Sequence, residues 1–384
     1  MKNNKWLIIF LFIFTSNLFA QQQTPWWLSL EQGKQKFRAG DYSGALLSFE
    51  DARRNRRSMY EKMERDFITF LSRSDVRRIG DSLERVEWYS YEQRYTLASA
   101  ALEELFYRIP KRSFNNSATA ALAGFSRLKD YPEAEYWIGE IFRIEGELSL
   151  ALSQYRRAYS MRGNLEDPGF STTILYKIAN VQRTRQEYVD MENVLLSIIA
   201  DKDTLWTNAM LAENTTGRMP HDQASAAFAR NAMAKTLTDY GINRFMVMYR
   251  YNNSSVEPAH RILGLHYAVQ GRAAAEQHLM FAFLIQNTII IEEVRRRQFD
   301  FLYTDLSALA REINNSQLLL SYVDEVEYYK TVYYFGISLF RNGKTAAART
   351  LWNFLASQPQ AGEWHNRSVS QLRNPRLEPI VIMP

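Results

Sequence analysis

The chain has 384 residues, 46% of them hydrophobic and 23% charged, with a formal net charge of +5 and no cysteine. This length and composition support a sizeable folded core and exclude wholesale disorder. The mild positive charge is not that of a nucleic-acid binder, and the lack of cysteine excludes disulfide staples and a lipid-modified cysteine anchor. Glycine (16) and proline (10) are scarce, and Pro25, Pro110, Pro132, Pro168, Pro220, Pro258 and Pro359 all border apolar periodic stretches. Proline placed there ends helices, so the expected fold class is all-α, with long helices and few strands.

Residues 1–20 read as a secretory signal peptide. Lys2 and Lys5 precede the apolar run from Trp6 to Phe14, and Leu18-Phe19-Ala20 offers a cleavage site after Ala20. The rival reading is an uncleaved anchor. Cleavage lowers the net charge from +5 to +3, leaves no stable membrane span and places the mature protein in the periplasm or outside the cell.

Residues 26–55 form a first helix pair: Gly33 and Phe37 mark one helix, Ala39-Gly40-Asp41-Tyr42 the turn, and Ala45, Phe49 and Ala52 the other. The run from Arg53 to Arg57 reads as a solvated helix end, where cations suit the negative pole. Residues 61–72 and 74–91 are helical by periodicity, and Tyr95, Ala98, Leu102, Leu105 and Pro110 restore the second-helix pattern. An alanine-rich helix over 116–129 follows. The clearest pair spans Pro132 to Tyr159, turning at Glu145-Gly146-Glu147. Gly139 and Ala151 let its helices approach, while Phe142 and Tyr155 fill the space beside the contact. Residues 172–183 and 187–199 make a further pair with Ala179 at the small position.

Residues 200–220 break the pattern and read as a long loop or a short irregular helix, the best candidate for a hinge, and a helix over 222–240 stops at Gly241. The motif resumes over 258–284 with Gly264, Tyr267, Gly271, Met280 and Phe283, although Glu276 occupies an alanine position. The apolar stretch from Leu279 to Ile291 is too short to span a bilayer and is expected as a buried helix. A helix over 302–311 and a last pair over 322–341 and 345–357 follow, the latter marked by Gly336, Leu339, Gly343, Ala348, Trp352 and Leu355. Pro375 and Pro379 suggest an extended tail over 358–384 that caps the final pair. The expected organisation is a signal peptide (1–20), a helical array (21–200), an irregular helical connector (201–257), a second array (258–357) and the tail (358–384).

Gly-x-x-aromatic on one helix and Ala-x-x-x-aromatic on the next, recurring in about five pairs over about half of the mature chain, resembles the tetratricopeptide repeat (TPR), whose unit is about 34 residues. The resemblance implies a right-handed superhelical array of antiparallel helix pairs, a TPR-like α-solenoid. It also implies binding of a partner protein or extended peptide along a concave face built from the first helix of each pair. Projected onto this chain, that face comprises Trp27, Lys34 and Arg38; Tyr136, Glu140 and Arg143; Tyr176, Asn180 and Arg183; and Tyr333, Ile337 and Arg341. Flat rings give contact area at low entropic cost, and guanidinium forks suit carboxylates. The alternative is that the tyrosines close gaps between pairs. The family's chaperone-tail clamp requires a Lys and Asn set that is matched only at Asn180, so that activity does not transfer.

No motif for catalysis, cofactor or metal stands out. His221, His260, His266, His278 and His365 lack zinc-site spacing, and there is no phosphate loop or nucleophile elbow. His260 and His266, six apart, lie on different faces of one helix and read as satisfied or exposed imidazoles. The expected function is an exported scaffold or adaptor of the bacterial cell envelope, not an enzyme. Two alternatives stand beside it: the helical module of a glycan-processing envelope enzyme, and a structural protein that self-assembles through Tyr328-Tyr329 and Tyr333-Tyr334.

Overall fold

A computed structural model of the chain describes residues 24–73, 111–206 and 221–378; the side chains of 70–73, 111–119 and 221–232 are not included in that description. The expected signal peptide, the helical segments over 74–110, most of the hinge loop and residues 379–384 lie outside the described residues. Among the described residues every regular element is helical: fifteen α-helices and two short 3-10 turns, with no strand. The all-α expectation is met, and the helices pack as sequence-adjacent pairs.

The chain divides into two compact units, Met1–Val181 and Gln182–Pro384. The division falls inside a helix, upstream of the boundary expected at residue 200. In the first unit, α1 (Trp26–Arg38) pairs with α2 (Tyr42–Arg73), α3 (Lys111–Leu128) packs on α2, α4 (Pro132–Ile144) pairs with α5 (Leu148–Ser160), and α6 (Phe170–Thr184) runs to the boundary. Trp26, Leu30, Phe49, Tyr131, Ile138 and Ile141 form one buried cluster, with Trp137 stacked on Phe49 at 5.9 Å between centroids.

The pairs share one construction. A Cβ added to Gly139 would stand 2.8 Å from the Tyr155 ring, one at Gly264 2.7 Å from Leu279, and one at Gly336 2.5 Å from Trp352; at Gly33 it would strike the Phe49 ring. Bare backbone on the first helix is therefore the seat for a large side chain of the second. Seven residues beyond each of these glycines stands another in the left-handed region: Gly40, Gly146, Gly271 and Gly343. There the first helix closes in a Schellman-type bond, Asp41 N–H to Lys36 O, Glu147 N–H to Phe142 O, Arg272 N–H to Tyr267 O and Lys344 N–H to Leu339 O, at 2.8 to 3.0 Å. Ala179 and Gln186 repeat the spacing, and Gln186 adopts φ 63° without being glycine.

The second unit contains α7 (Tyr188–Lys202), α8 (His221–Met248), α9 (Glu257–Val269), α10 (Ala275–Arg297), α11 (Leu306–Asn314), α12 (Gln317–Glu325), α13 (Tyr328–Arg341), α14 (Thr345–Ala356) and α15 (Glu363–Arg373). Helix α10 is its axis, packed against α9 and α13. From Leu279 to Ile291 it is buried except for half-buried Ile289, as the sequence suggested. Its polar residues are bonded within the protein: Asn287 donates to Phe283 O at 2.7 Å and accepts from the Tyr328 hydroxyl at 2.9 Å. No helix among the described residues is long and apolar enough to cross a membrane.

Two expectations need correction. The run from Arg53 to Arg57 does not end a helix; α2 continues through it to Arg73. Arg56 is buried there with its guanidinium over the Trp26 and Tyr131 rings at 4.8 and 4.5 Å, and it donates to Leu128 O. Gly241 (φ 80°, ψ 179°) is non-helical and ends the first stretch of α8 where the sequence placed the stop; a second helical stretch follows it to Met248. The tail is not extended throughout: Pro359–Ala361 is a 3-10 turn, and α15 packs on α13 and α14, with Trp364 against the Tyr333 ring at 5.4 Å. Pro375 follows this helix and bounds it, while the segment still covers the last pair.

The glycine seats separate by substitution. Gly139→Leu drives a side chain into Tyr155 and Gln154 and should cost about 1–3 kcal/mol by overpacking. Gly124→Ala, where an added Cβ meets nothing within 4 Å, should gain about 0.5–1 kcal/mol from helix propensity. Thermal melting of the two variants should therefore move in opposite directions.

Candidate functional site

The twelve residues projected onto a partner-binding face divide by exposure. Trp27 is 54% exposed, and Arg38, Asn180 and Arg183 are also exposed. Lys34, Arg143, Tyr176 and Arg341 are half-buried; Lys34 pairs with Glu31 at 2.7 Å, and Arg341 donates to Gly271 O at 3.3 Å. Tyr136, Glu140, Tyr333 and Ile337 are buried. This departs from the expectation of an open face at those four positions. The Phe170 ring covers Tyr136 at 4.7 Å, and Trp364 of α15 covers Tyr333. The Tyr333 hydroxyl donates to Glu378 and accepts from Gln371 at 3.3 Å. Of the tyrosines considered for self-assembly, Tyr328, Tyr329 and Tyr333 are buried and Tyr334 is half-buried.

Glu140 and Arg143 do come together, at a polar node inside the first unit. The Glu140 carboxylate accepts from Arg143 at 3.1 Å, from Lys177 of α6 at 2.9 Å and from the Tyr155 hydroxyl. Burial alone would raise its pKa, but these hydrogen bonds outweigh it and hold the carboxyl below its ordinary value. Glu140 is thus a bracket tying α4, α5 and α6 together, beneath a surface that Arg143 and Lys177 partly reach.

Sequence spacing missed a buried cluster of ionisable groups. Asp203, just past α7, is wholly buried, as are His260 of α9 and His278 of α10. Asp203 Oδ2 lies 2.9 Å from His260 Nε2, and Oδ1 accepts from the Tyr251 hydroxyl at 2.7 Å and the Trp206 N–H at 2.8 Å. An ionised carboxylate only accepts, so His260 Nε2 carries its proton and Nδ1 is left as an acceptor. His278 Nδ1, 3.1 Å away, then donates to it.

Phe281 stacks on His260 at 5.1 Å and Trp206 on His278 at 4.6 Å. Burial lowers the His260 pKa and overrides the neighbouring Asp203, while the hydrogen bonds from His260, Trp206 and Tyr251 overcome burial to hold Asp203 low. The arrangement is an ionised carboxylate hydrogen-bonded to the His260 imidazole, which in turn meets His278 inside aromatic walls. It can hold protons in fixed places and clamp α7, α9 and α10. Among the described residues no group of three or more His, Cys, Asp or Glu side chains is placed to hold a metal.

A second cluster joins α7 to α9 and the turn after it: Glu192 lies 3.1 Å from His266 Nε2, accepts from the Tyr267 hydroxyl at 3.1 Å and pairs with Arg272 at 2.9 Å. His260 and His266 therefore face different partners, as their spacing requires.

No family model matches the chain. It is 24% identical over 352 residues to an uncharacterized protein of Treponema pallidum, covering 91% of this chain and 90% of the relative. An uncharacterized protein of Borreliella burgdorferi is 21% identical over 253 residues, covering 64% of this chain and 78% of the relative.

The buried relay predicts acid sensitivity. Because His260 has a lower pKa folded than unfolded, its contribution is complete above the unfolded value near 6.5 and is lost as pH falls through it. Asp203, held below its ordinary 3.8, adds a loss only at much lower pH. Denaturant unfolding should show stability falling as pH drops from about 7.5 to about 5.5, with this imidazole contributing to the slope. His260→Gln, which keeps a donor for Asp203 but does not titrate, should flatten that slope.

Proposed function

We propose that the chain is an exported, TPR-type scaffold or adaptor of the bacterial cell envelope. It holds a partner protein or extended peptide non-covalently along a concave wall of a right-handed helical array. One observation carries the reading: four helix pairs repeat the same contact of a bare glycine with a large side chain, each followed seven residues later by a left-handed glycine turn. Units built alike present equivalent faces at regular steps, which is how repeat proteins bind extended chains. The signal-like residues 1–20 support export.

Within the proposed wall the contacts belong to the residues that reach solvent. Trp27 and Tyr176 supply rings, Arg38, Arg143 and Arg183 supply guanidinium groups for carboxylates, and Asn180 supplies an amide. Within the first unit, buried Tyr136 and Glu140 pack beneath these residues.

A photo-crosslinkable residue at Asn180 in intact cells should capture a defined partner. Against that purified partner, Trp27→Ala and Tyr176→Ala should each weaken binding by about 1–2 kcal/mol with unchanged melting. Tyr136→Ala should instead lower the melting temperature, because its ring is packed under Phe170. Binding that ignores both Trp27→Ala and Tyr176→Ala would sink the proposed surface.

A further inference from the structure

Helix α10 ends in Arg295-Arg296-Arg297 and the chain doubles back at once. The Phe301 N–H donates to Gln298 O at 3.0 Å, closing a turn with Phe299 and Asp300 at its corner. Arg295 Nε donates to Phe301 O at 3.2 Å and fastens the turn to the helix end. Tyr303 is buried behind it and donates to Asn243 of α8 at 3.2 Å. The turn is therefore braced on two sides, and at its corner Phe299 is 98% exposed, with Leu302 at 74%. Turn corners ordinarily carry Gly, Asn, Asp, Ser or Pro for backbone reasons. Phenylalanine meets no such need, and its ring touches almost nothing of its own chain.

Scattered apolar residues on a surface need no explanation, but these two are not scattered. Val247 and Met248, at the end of α8, are also exposed. Arg250 follows them with its guanidinium 5.5 Å from the Tyr303 ring, close enough to Arg295 for that charge to weigh on it. Neither Arg250 nor Arg295 has a carboxylate partner among the described residues; their hydrogen bonds go to the carbonyls of Tyr249 and Phe301. Arg296 and Arg297 share Glu293 at 3.1 and 3.0 Å, Glu292 accepts from Asn252, and Asp300 is the acid at the corner itself.

Cations are ordinary at helix C-termini, and both helix ends account for some of these. The bare aromatic corner between them is not accounted for in that way. Its convex shape also matters: a protruding ring needs a fitted pocket on a protein partner, whereas a bilayer boundary yields to any convex apolar tip.

We propose that the turn from Gln298 to Leu302 is a membrane-surface wedge. Phe299 and Leu302 enter the headgroup boundary of an anionic bilayer, and Arg250, Arg295 and Arg296 engage the lipid phosphates. The wedge lies wholly within the second unit and stands independently of the scaffold reading. It would hold the protein against a membrane without a spanning helix.

The absence of native cysteine permits a clean test. The full chain carrying Phe299→Cys, labelled with an environment-sensitive fluorophore, is mixed with vesicles of equimolar phosphatidylcholine and phosphatidylglycerol or of phosphatidylcholine alone. The probe at position 299 should brighten and shift to the blue with the anionic vesicles at low salt. The same probe at exposed Val189, introduced as Val189→Cys, should not. In co-sedimentation of the unlabelled chain, Phe299→Ser should lower partitioning about tenfold or more. Arg250→Gln and Arg295→Gln should each lower it about fivefold, and Asp300→Asn should raise it. Phe299→Ser should leave melting unchanged. No probe response on anionic vesicles, or partitioning indifferent to Phe299→Ser, overturns the proposal. A concentration-dependent dimer abolished by Phe299→Ser, without vesicle binding, overturns it in favour of a second copy of the chain.

Discussion

Two helices can lie close only where one of them has nothing to put between the backbones. In this protein that place is a glycine on the first helix of a pair, and what comes to rest there is Phe49, Tyr155, Leu279 or Trp352 from the second. A glycine inside a helix costs about 0.5–1 kcal/mol relative to alanine. Fully burying a large apolar side chain contributes about 1.5–3 kcal/mol, so the exchange favours the contact. The left-handed glycine seven residues on sets the return angle and satisfies the carbonyls at the helix end. Seat and turn together fix each pair as a unit, and they define the faces left for neighbours.

Charged groups decide which helices become neighbours within a unit. Glu135 is buried and pairs with Arg53 of α2 at 3.2 Å and Arg157 of α5 at 3.1 Å. Glu140 brackets α4, α5 and α6 in the same manner, and Asp203 joins the end of α7 to α9 through His260. Desolvation makes such groups poor sources of net stability. Their effect is selective: a helix placed in the wrong register would leave a charge buried without its partner, which costs several kcal/mol.

The functional proposals rest on what this packing leaves outside. Rings that fill the pairs are withdrawn from any partner, which is the fate of Tyr136 and Tyr333. Exposed Trp27, the half-buried Tyr176 and the arginines around them remain for a wall that holds a protein or peptide. The corner at Phe299 is a different kind of surface, convex and braced from behind, and it suits a lipid boundary better than a groove. A scaffold of this kind would need no catalytic group of its own, only a fixed geometry and a place to stand.

Much of the fold was legible in the sequence because helix formation and pairing are local. Proline positions, the glycine turns at residues 40, 146, 271 and 343 and the buried run from Leu279 to Ile291 all report on neighbours within about two turns of chain. Tertiary structure alone decided what covers each helix. Arg56 looked like part of a solvated run because nothing nearby in sequence shows that Trp26 and Tyr131 close over it. Tyr136 looked open because its cover, Phe170, lies in another helix. Asp203, His260 and His278 are spread over three segments, so no spacing rule could assemble them. Periodicity identifies the apolar side of a helix, but burial is a property of the pair of surfaces that meet, and the second surface is set by contacts distant along the chain.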